Sequence, residues 1–270
     1  PNCPNGVVYD GYKNSLLQRE SVEGIKVIRV WTYIAANKGF LRRIVNYLSF
    51  MLSAVCAGMF IAKPDIVIAT SPQFFCGWAG VLLKILRRLP LILEVRDIWP
   101  ESIVVVGAMK NKRIICLLEK LEKIMYGAAT HIVTVGKGYK KNIVSKGVEP
   151  EKITVITNGV DKELYHPRPA DLALRERYNL NSEFVCAYVG TIGMAAGLEV
   201  VLKAAKILKK AHIAGIKFMM IGDGAMREPL CEKARDSELD SVIFTGLQPK
   251  KLIPKFMASV DACLIHLKRN

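Results

Sequence analysis

The stretch "LPLILEVRDIWPES", residues 89–102, opens as an unbroken apolar run and closes on charge. Leu91, Ile92, Leu93 and Val95 read as a buried strand. Arg96, Asp97 and Glu101 come only where the run ends, around a Trp99-Pro100 pair that breaks it. An open parallel sheet binds its ligands beyond the carboxyl ends of its strands, so an acid, a base, an indole and a second acid at this point mark both a fold and a site.

Working outward, short β-branched runs recur at 25–31, 65–70, 91–95, 130–135 and 153–156, with helical patterns at about 40–62, 73–88, 111–127 and 137–146 between them. Within 112–126, Ile114, Leu117, Leu118, Leu121, Ile124 and Met125 recur at three-to-four spacing opposite Glu119, Lys120, Glu122 and Lys123. That spacing predicts an amphipathic helix whose apolar residues are core. Strand-helix alternation implies a parallel sheet covered on both faces. After Ile156 the texture changes: "TNGVDKELYHPRPADLALRERY", with Asn-Gly and two prolines, reads as a linker. Alternation then restarts, with strands at 184–190, 216–221, 242–244 and 261–265 and helices at 198–212, about 226–236 and 249–258. The organisation expected is an α/β chain of two doubly wound domains: 1–157, a linker at 158–170, and 171–270. Both domains read as incomplete, the second stopping directly after a strand, as in a fragment of a longer protein.

Composition bounds the function. The 270 residues are 51% hydrophobic with a mean hydropathy of +0.24, so a substantial core is available and disorder is excluded. Lys and Arg number 39 against 24 Asp and Glu, a net charge of +15 that suits a polyanionic partner. Nucleic acid is disfavoured: zinc-finger spacing, an RNP-like aromatic strand and a long basic run are all missing. The basic residues instead come in small groups beside apolar stretches (Arg42-Arg43, Lys84 with Arg87-Arg88, Lys110/Lys112/Arg113, Lys140-Lys141, Lys250-Lys251), a pattern that fits an anionic membrane face. Seven scattered cysteines without C-x-x-C predict free thiols in a reducing, cytoplasmic compartment. The four histidines are isolated, His166 and His266 read as structural or surface residues, and a metal site is not expected. The uncharged stretch 44–62, between Arg43 and Lys63, is long enough to span a bilayer, but Asn46, Ser49 and Ser53 dilute it and a strand follows at once. It is expected to be buried or to skim a membrane.

The strand-end rule also selects loops in the second domain: "GTIGMAAG" at 190–197 and "GDG" at 222–224 can present backbone N–H groups to phosphate, with Asp223 where a ribose-binding acid would lie. The spacing is not G-x-G-x-x-G, and glycine after a strand is common. Five motifs in order then carry a resemblance over essentially the whole chain: "NGVD" at 158–161, "YVGTIG" from Tyr188 with "GL" following, "IGDG" at 221–224, "FTG" at 244–246, and Pro167 after the first. They resemble glycosyltransferase family 4, retaining enzymes of the GT-B fold, in which two Rossmann-like domains face a cleft. "PNCPNG", "GYKN", "VIRVW", "NYLSF" and "DIWPES" resemble its bacterial O-antigen, capsule and exopolysaccharide branch, which includes L-fucosamine transferases.

The resemblance implies metal-independent transfer, without a cofactor, of a sugar, expected to be an N-acetylated amino sugar, from a UDP-linked donor. The acceptor implied is a saccharide on a polyprenyl diphosphate at the inner face of the plasma membrane. Gly190, Thr191, Gly193, Gly222 and Gly224 are then expected at the donor, and Asp97 and Glu101 at the chemistry. Arg96 and Trp99 are expected at the acceptor, and Arg42 and Arg43 at membrane headgroups. The family commonly has Arg after the first of these glycines and Lys before Gly197, where this chain has Thr191 and Ala196. The segment with the family's two donor-binding glutamates is absent from the chain. Two alternatives stand beside this reading. One is an NAD-dependent nucleotide-sugar epimerase or dehydrogenase, weakened because Tyr9-x-x-x-Lys13 precedes the glycine loop. The other is a non-catalytic, membrane-associated transferase-like subunit.

Overall fold

The computed structural model describes residues 7–34, 40–71, 73–105, 109, 111–180 and 182–267. The "PNCPNG" motif, Cys3 and Lys110 lie outside them. The chain divides into two compact units, Pro1–Asn158 and Gly159–Asn270.

The first unit begins with a hairpin, β1 (Leu17–Val22) and β2 (Ile25–Val30), followed by α1 (Phe40–Phe60). The run at 25–31 therefore does not join the parallel sheet as its β-branched character suggested; it pairs antiparallel with a strand the sequence reading lacked. The cause is the two-residue turn. Glu23 (φ 51°) and Gly24 (φ 81°) both take left-handed backbone, the geometry that matches the twist of a tight hairpin. Glu20 pairs with Arg29 across it.

Next come β3 (Val67–Ser71), α2 (Phe74–Arg87), β4 (Leu91–Val95), α3 (Glu101–Val105), α4 (Lys112–Ala128), β5 (His131–Thr134), α5 (Lys137–Ser145) and β6 (Ile153–Val155). The strands form a parallel sheet in the order β3-β4-β5-β6, so β4 is interior. With crossovers of the usual right hand, consecutive order puts the connecting helices on one face. There Leu91, Leu93, Val95 and Ile132 are buried. The opposite face is half-open among the described residues: Ile68 is 64% exposed. The side-chain oxygen of Gln73 accepts from Cys76 N to cap α2, and that of Asn111 accepts from Arg113 N to cap α4. At Gly80 a β-carbon would stand 2.6 Å from Cβ of Ala69, so α2 lies closer to the sheet than any larger residue allows.

In the second unit, α6 (Leu172–Arg177) precedes β7 (Phe184–Val189), α7 (Glu199–Lys210), β8 (Ile216–Ile221), α8 (Arg227–Asp236), β9 (Val242–Gly246), α9 (Ile253–Ala258) and β10 (Ala262–Leu264). Part of the stretch read as linker is thus helical: Asp171 accepts from Leu174 N to start α6, and Leu180 just beyond it is fully buried. The parallel order is β10-β7-β8-β9. The chain winds outward from β7 in one direction and returns to its other side with β10. Cores accordingly form on both faces, one around Val201, Leu202 and Leu230, the other around Leu180, Met219 and Phe256.

Three sequence expectations need correction. On α4, Ile114, Leu117 and Ile124 are exposed (40, 56 and 56%), whereas Met125 is buried and Leu118 and Leu121 pack against the core as expected, with Glu122 and Tyr126 turned inward beside them. The apolar arc is wider than the strip the sheet covers. Several cations assigned to a membrane-facing pattern are also spent internally. Lys84 donates to Ala128 O at the negative end of α4, where Lys152, outside that pattern, also donates to Tyr126 O and Gly127 O. Arg87 donates to Gly58 O and Ile61 O at the end of α1, and Lys140 to Ile153 O. Cys56, Cys116 and Cys263, in runs read as apolar core, are exposed.

Glu122 sits fully buried in α4. A lone carboxylate there would be prohibitive; it is met by Lys146 Nζ at 2.8 and 3.0 Å and by the Tyr126 hydroxyl at 2.6 Å. Burial nevertheless wins and raises the Glu122 carboxyl above its ordinary value, against the lowering effects of Lys146 and Tyr126. The Tyr126 hydroxyl is pushed up strongly, first by burial and then by Glu122. A carboxyl raised in the folded state contributes stability that is full below its unfolded value and lost as pH rises through the folded one. Thermal unfolding between about pH 4 and 7 checks this: relative to Glu122→Gln, the natural protein loses stability as pH rises. Parallel curves contradict it.

Candidate functional site

At the carboxyl edge of the first sheet, three loops meet around the residues after β4. Arg96 N donates to Ser71 O at the end of β3 (3.1 Å), and the exposed Arg96 guanidinium donates to Asn158 Oδ1, two residues past Ile156 (3.2 Å). Ile98 turns inward and Trp99 stacks on Phe74, the first residue of α2, with ring centroids 4.4 Å apart. Glu101 opens α3, and its carboxylate takes Lys146 Nζ at 2.9 Å and the Asn142 amide at 3.0 and 3.3 Å. Asp97 is half-buried, and its carboxylate has no hydrogen-bond or ion-pair partner among the described residues. The four sequence-predicted residues Arg96, Asp97, Trp99 and Glu101 thus fall on one short loop. Three are occupied by protein contacts, and Asp97 is left available. Asn158, Asn142 and Lys146 were not singled out as loop partners, because their contacts cross 41 to 62 residues of sequence or run through a helix end.

At the carboxyl edge of the second sheet, the loops after β7 and β8 lie backbone against backbone. Gly190 N donates to Ile221 O, Ile192 N to Asp223 O, and Met226 N to Ile192 O. Gly222 (φ 144°) and Gly224 (φ 156°) leave no room for a side chain: a β-carbon would stand 1.9 Å from Gly190 O at the first and 2.5 Å from Ile192 O at the second. Gly190 itself has φ 155°. Thr191 is exposed, its carbonyl accepting from the Tyr188 hydroxyl at 3.0 Å, and Gly193 N donates back to Thr191 O. All five predicted donor-side residues therefore cluster. Neither α7 nor α8 has a side-chain cap, and the exposed Asp223 carboxylate accepts from Gly224 N. The site lies where the winding reverses between β7 and β10, the place such sheets keep for ligands. His266, just beyond β10, spans that point: Nδ1 donates to Ala196 O at 2.6 Å. Sequence reasoning left this residue aside because nothing local signals the pairing of β10 with β7.

Arg42 and Arg43 are exposed in the first turn of α1. Arg43 NH2 donates to the Tyr47 hydroxyl, one turn on. Along this helix Val45, Leu52, Met59 and Phe60 are exposed at 40 to 86%. Residues Arg42–Phe60 are long and apolar enough to cross a membrane by length and composition. Among the described residues, His, Cys, Asp and Glu form no group of three able to hold a metal ion.

The model of Glycosyltransferase Family 4 matches residues 6–164, and that of Glycosyl transferases group 1 matches residues 172–269. The chain is 25% identical over 210 residues to the probable glycosyltransferase WbjE of Pseudomonas aeruginosa, covering 77% of this chain and 52% of that protein. It is 28% identical over 168 residues to the capsular polysaccharide biosynthesis glycosyltransferase CapM of Staphylococcus aureus, covering 59% and 41%. The chain therefore spans about half, or less, of the length of these curated relatives. Among solved structures, HepE of Anabaena in complex with UDP aligns with a TM-score of 0.62 at 16% identity, over 82% of this chain and 57% of that one. Sucrose-phosphate synthase of Thermosynechococcus elongatus aligns with a TM-score of 0.67 at 16% identity, over 95% and 62%. At such identities these likenesses establish the fold, the two Rossmann-like halves of GT-B.

Proposed function

The chain belongs to glycosyltransferase family 4, and from that premise we propose that it transfers a sugar, with retention, from a UDP-linked donor to a saccharide carried on a polyprenyl diphosphate. One observation carries the donor half. Two glycine loops close on each other at the reversal point of the second sheet, keeping side chains out of an edge beside two uncapped helix starts. Such an edge suits a diphosphate and supplies fixed dipoles to the charge that develops as UDP leaves. UDP bound to HepE, a neighbour of the same fold, supports the nucleotide. Gly190, Thr191, Gly193, Gly222 and Gly224 take the pyrophosphate in this reading, without a metal ion or other cofactor.

Asp97 is the acceptor-side acid because it is the one carboxylate of its loop left without a protein partner among the described residues. It accepts a hydrogen bond from the attacking hydroxyl. Arg96 meets an acceptor phosphate, the half-buried Trp99 borders a sugar ring, and Glu101, held by Lys146, fixes the loop. The relative CapM supports a bacterial surface polysaccharide as the product, and the "DIWPES", "GYKN" and "NYLSF" motifs are the ground for proposing that an N-acetylated amino sugar of the L-fucosamine kind is transferred. The exposed apolar side of α1 and its two arginines support attachment to the inner face of the plasma membrane.

Saturation-transfer NMR against UDP, GDP, UDP-N-acetylglucosamine and NAD tests the donor half. UDP and its sugar give signals that Gly222→Ala removes; a signal from NAD alone, or none from UDP, contradicts the reading. Sedimentation with vesicles of phosphatidylglycerol tests the attachment. The double charge reversal Arg42→Glu/Arg43→Glu is expected to leave most of the protein in the supernatant, and unchanged sedimentation counts against it.

A further inference from the structure

The buried charges of the first unit are more elaborate than packing requires. An apolar residue at 122 would complete the inner side of α4 beside Met125 without burying a carboxylate. Instead Glu122, Tyr126, Lys146, Asn142 and Glu101 form one connected set. The three N–H groups of the Lys146 ammonium match three carboxylate oxygens: Glu122 Oε1 at 3.0 Å, Glu122 Oε2 at 2.8 Å and Glu101 Oε1 at 2.9 Å. The hydroxyl of Tyr126 donates to Glu122 and the amide of Asn142 to Glu101, so both carboxylates have a second donor.

The set has a direction. Exposure rises along it, from 1% for the Glu122 side chain through 13% for Lys146 to 43% for Glu101. Its outer member is the residue that follows Pro100, on the loop that carries Asp97 and Trp99. Among the described residues, the loop is otherwise held by the burial of Ile98 and the stacking of Trp99 on Phe74. α3 is a single short turn, secured by Ser102 N to Ile98 O and Val104 N to Pro100 O. At its near end it continues β4 and is tied to Ser71 and Asn158.

We propose that Lys146 is a positioning residue for the strand-end loop: anchored on the buried Glu122, it fixes Glu101 and through it the placement of Asp97 and Trp99. The proposal rests on the acceptor reading only for the purpose it gives the loop. The position of the loop itself is measurable without any substrate.

Trp99 reports that position. In protein labelled with 5-fluorotryptophan, the Trp31, Trp78 and Trp99 fluorine resonances are distinguished by Trp→Phe replacement. Glu101→Gln, which keeps the fold because Glu101 is part-exposed, is expected to shift or broaden the Trp99 resonance and leave Trp31 in place. Lys146→Met gives the same change, the double variant adds nothing further, and Lys146→Arg restores the natural position. A Trp99 resonance unmoved in folded Glu101→Gln overturns the proposal, as does a shift that Lys146→Arg fails to reverse. Lys146→Met leaves Glu122 buried without its cation, so if that protein does not fold, Glu101→Gln decides. If the acceptor reading were wrong, Trp99 would still move; if the positioning role were wrong, it would not.

Discussion

The carbonyl oxygen of Gly190 occupies the space where a β-carbon at residue 222 would stand, and much of the second unit's chemistry follows from that contact. It forces glycine at 222, aligns the loops after β7 and β8, and brings Ile192 and Asp223 into backbone pairing. An edge built this way has no side chain to fill it. What remains is an edge of paired backbone beside two helix starts that no side chain closes. The site is a consequence of close approach, not of a set of reactive groups.

The first unit solves a different problem. Its strand-end loop is rich in ionisable groups, and most of them are restrained. Arg96 is drawn to Asn158, Trp99 to Phe74, and Glu101 to a charge network rooted under α4. Restraint on three neighbours is what leaves Asp97 fixed and, among the described residues, without a partner for its carboxylate. Orientation of that kind is worth several powers of ten in a reaction between bound partners, and a loop of one short helical turn cannot supply it alone.

Much of this was legible in the sequence because strand ends announce themselves. Charge at the end of "LPLILEV" and glycine after "FVCAYV" and "IKFMMI" located the two edges without reference to any contact. The hairpin at 17–30 was missed because "LQRESV" is too polar to read as a strand, although Glu23-Gly24 is a turn signal in itself. The exposed flank of α4 was missed for another reason: periodicity gives the width of an apolar arc, not how much of it a neighbour covers. Lys84, Arg87 and Lys140 fitted a membrane-facing pattern because nothing local reveals that a carbonyl from a distant segment waits for each. His266 was passed over because β10 folds back beside β7 across the whole second unit.

The most direct test of the account compares the natural full-length protein with Asp97→Asn. UDP dissociation constants would be measured by calorimetry, and turnover of UDP-N-acetyl-L-fucosamine would be followed with an undecaprenyl diphosphate-linked saccharide as acceptor. The substitution keeps the size of the side chain and removes its charge. The account predicts UDP affinity within about twofold of the natural protein and turnover lower by at least about 100-fold. Turnover that survives the substitution unchanged would contradict it.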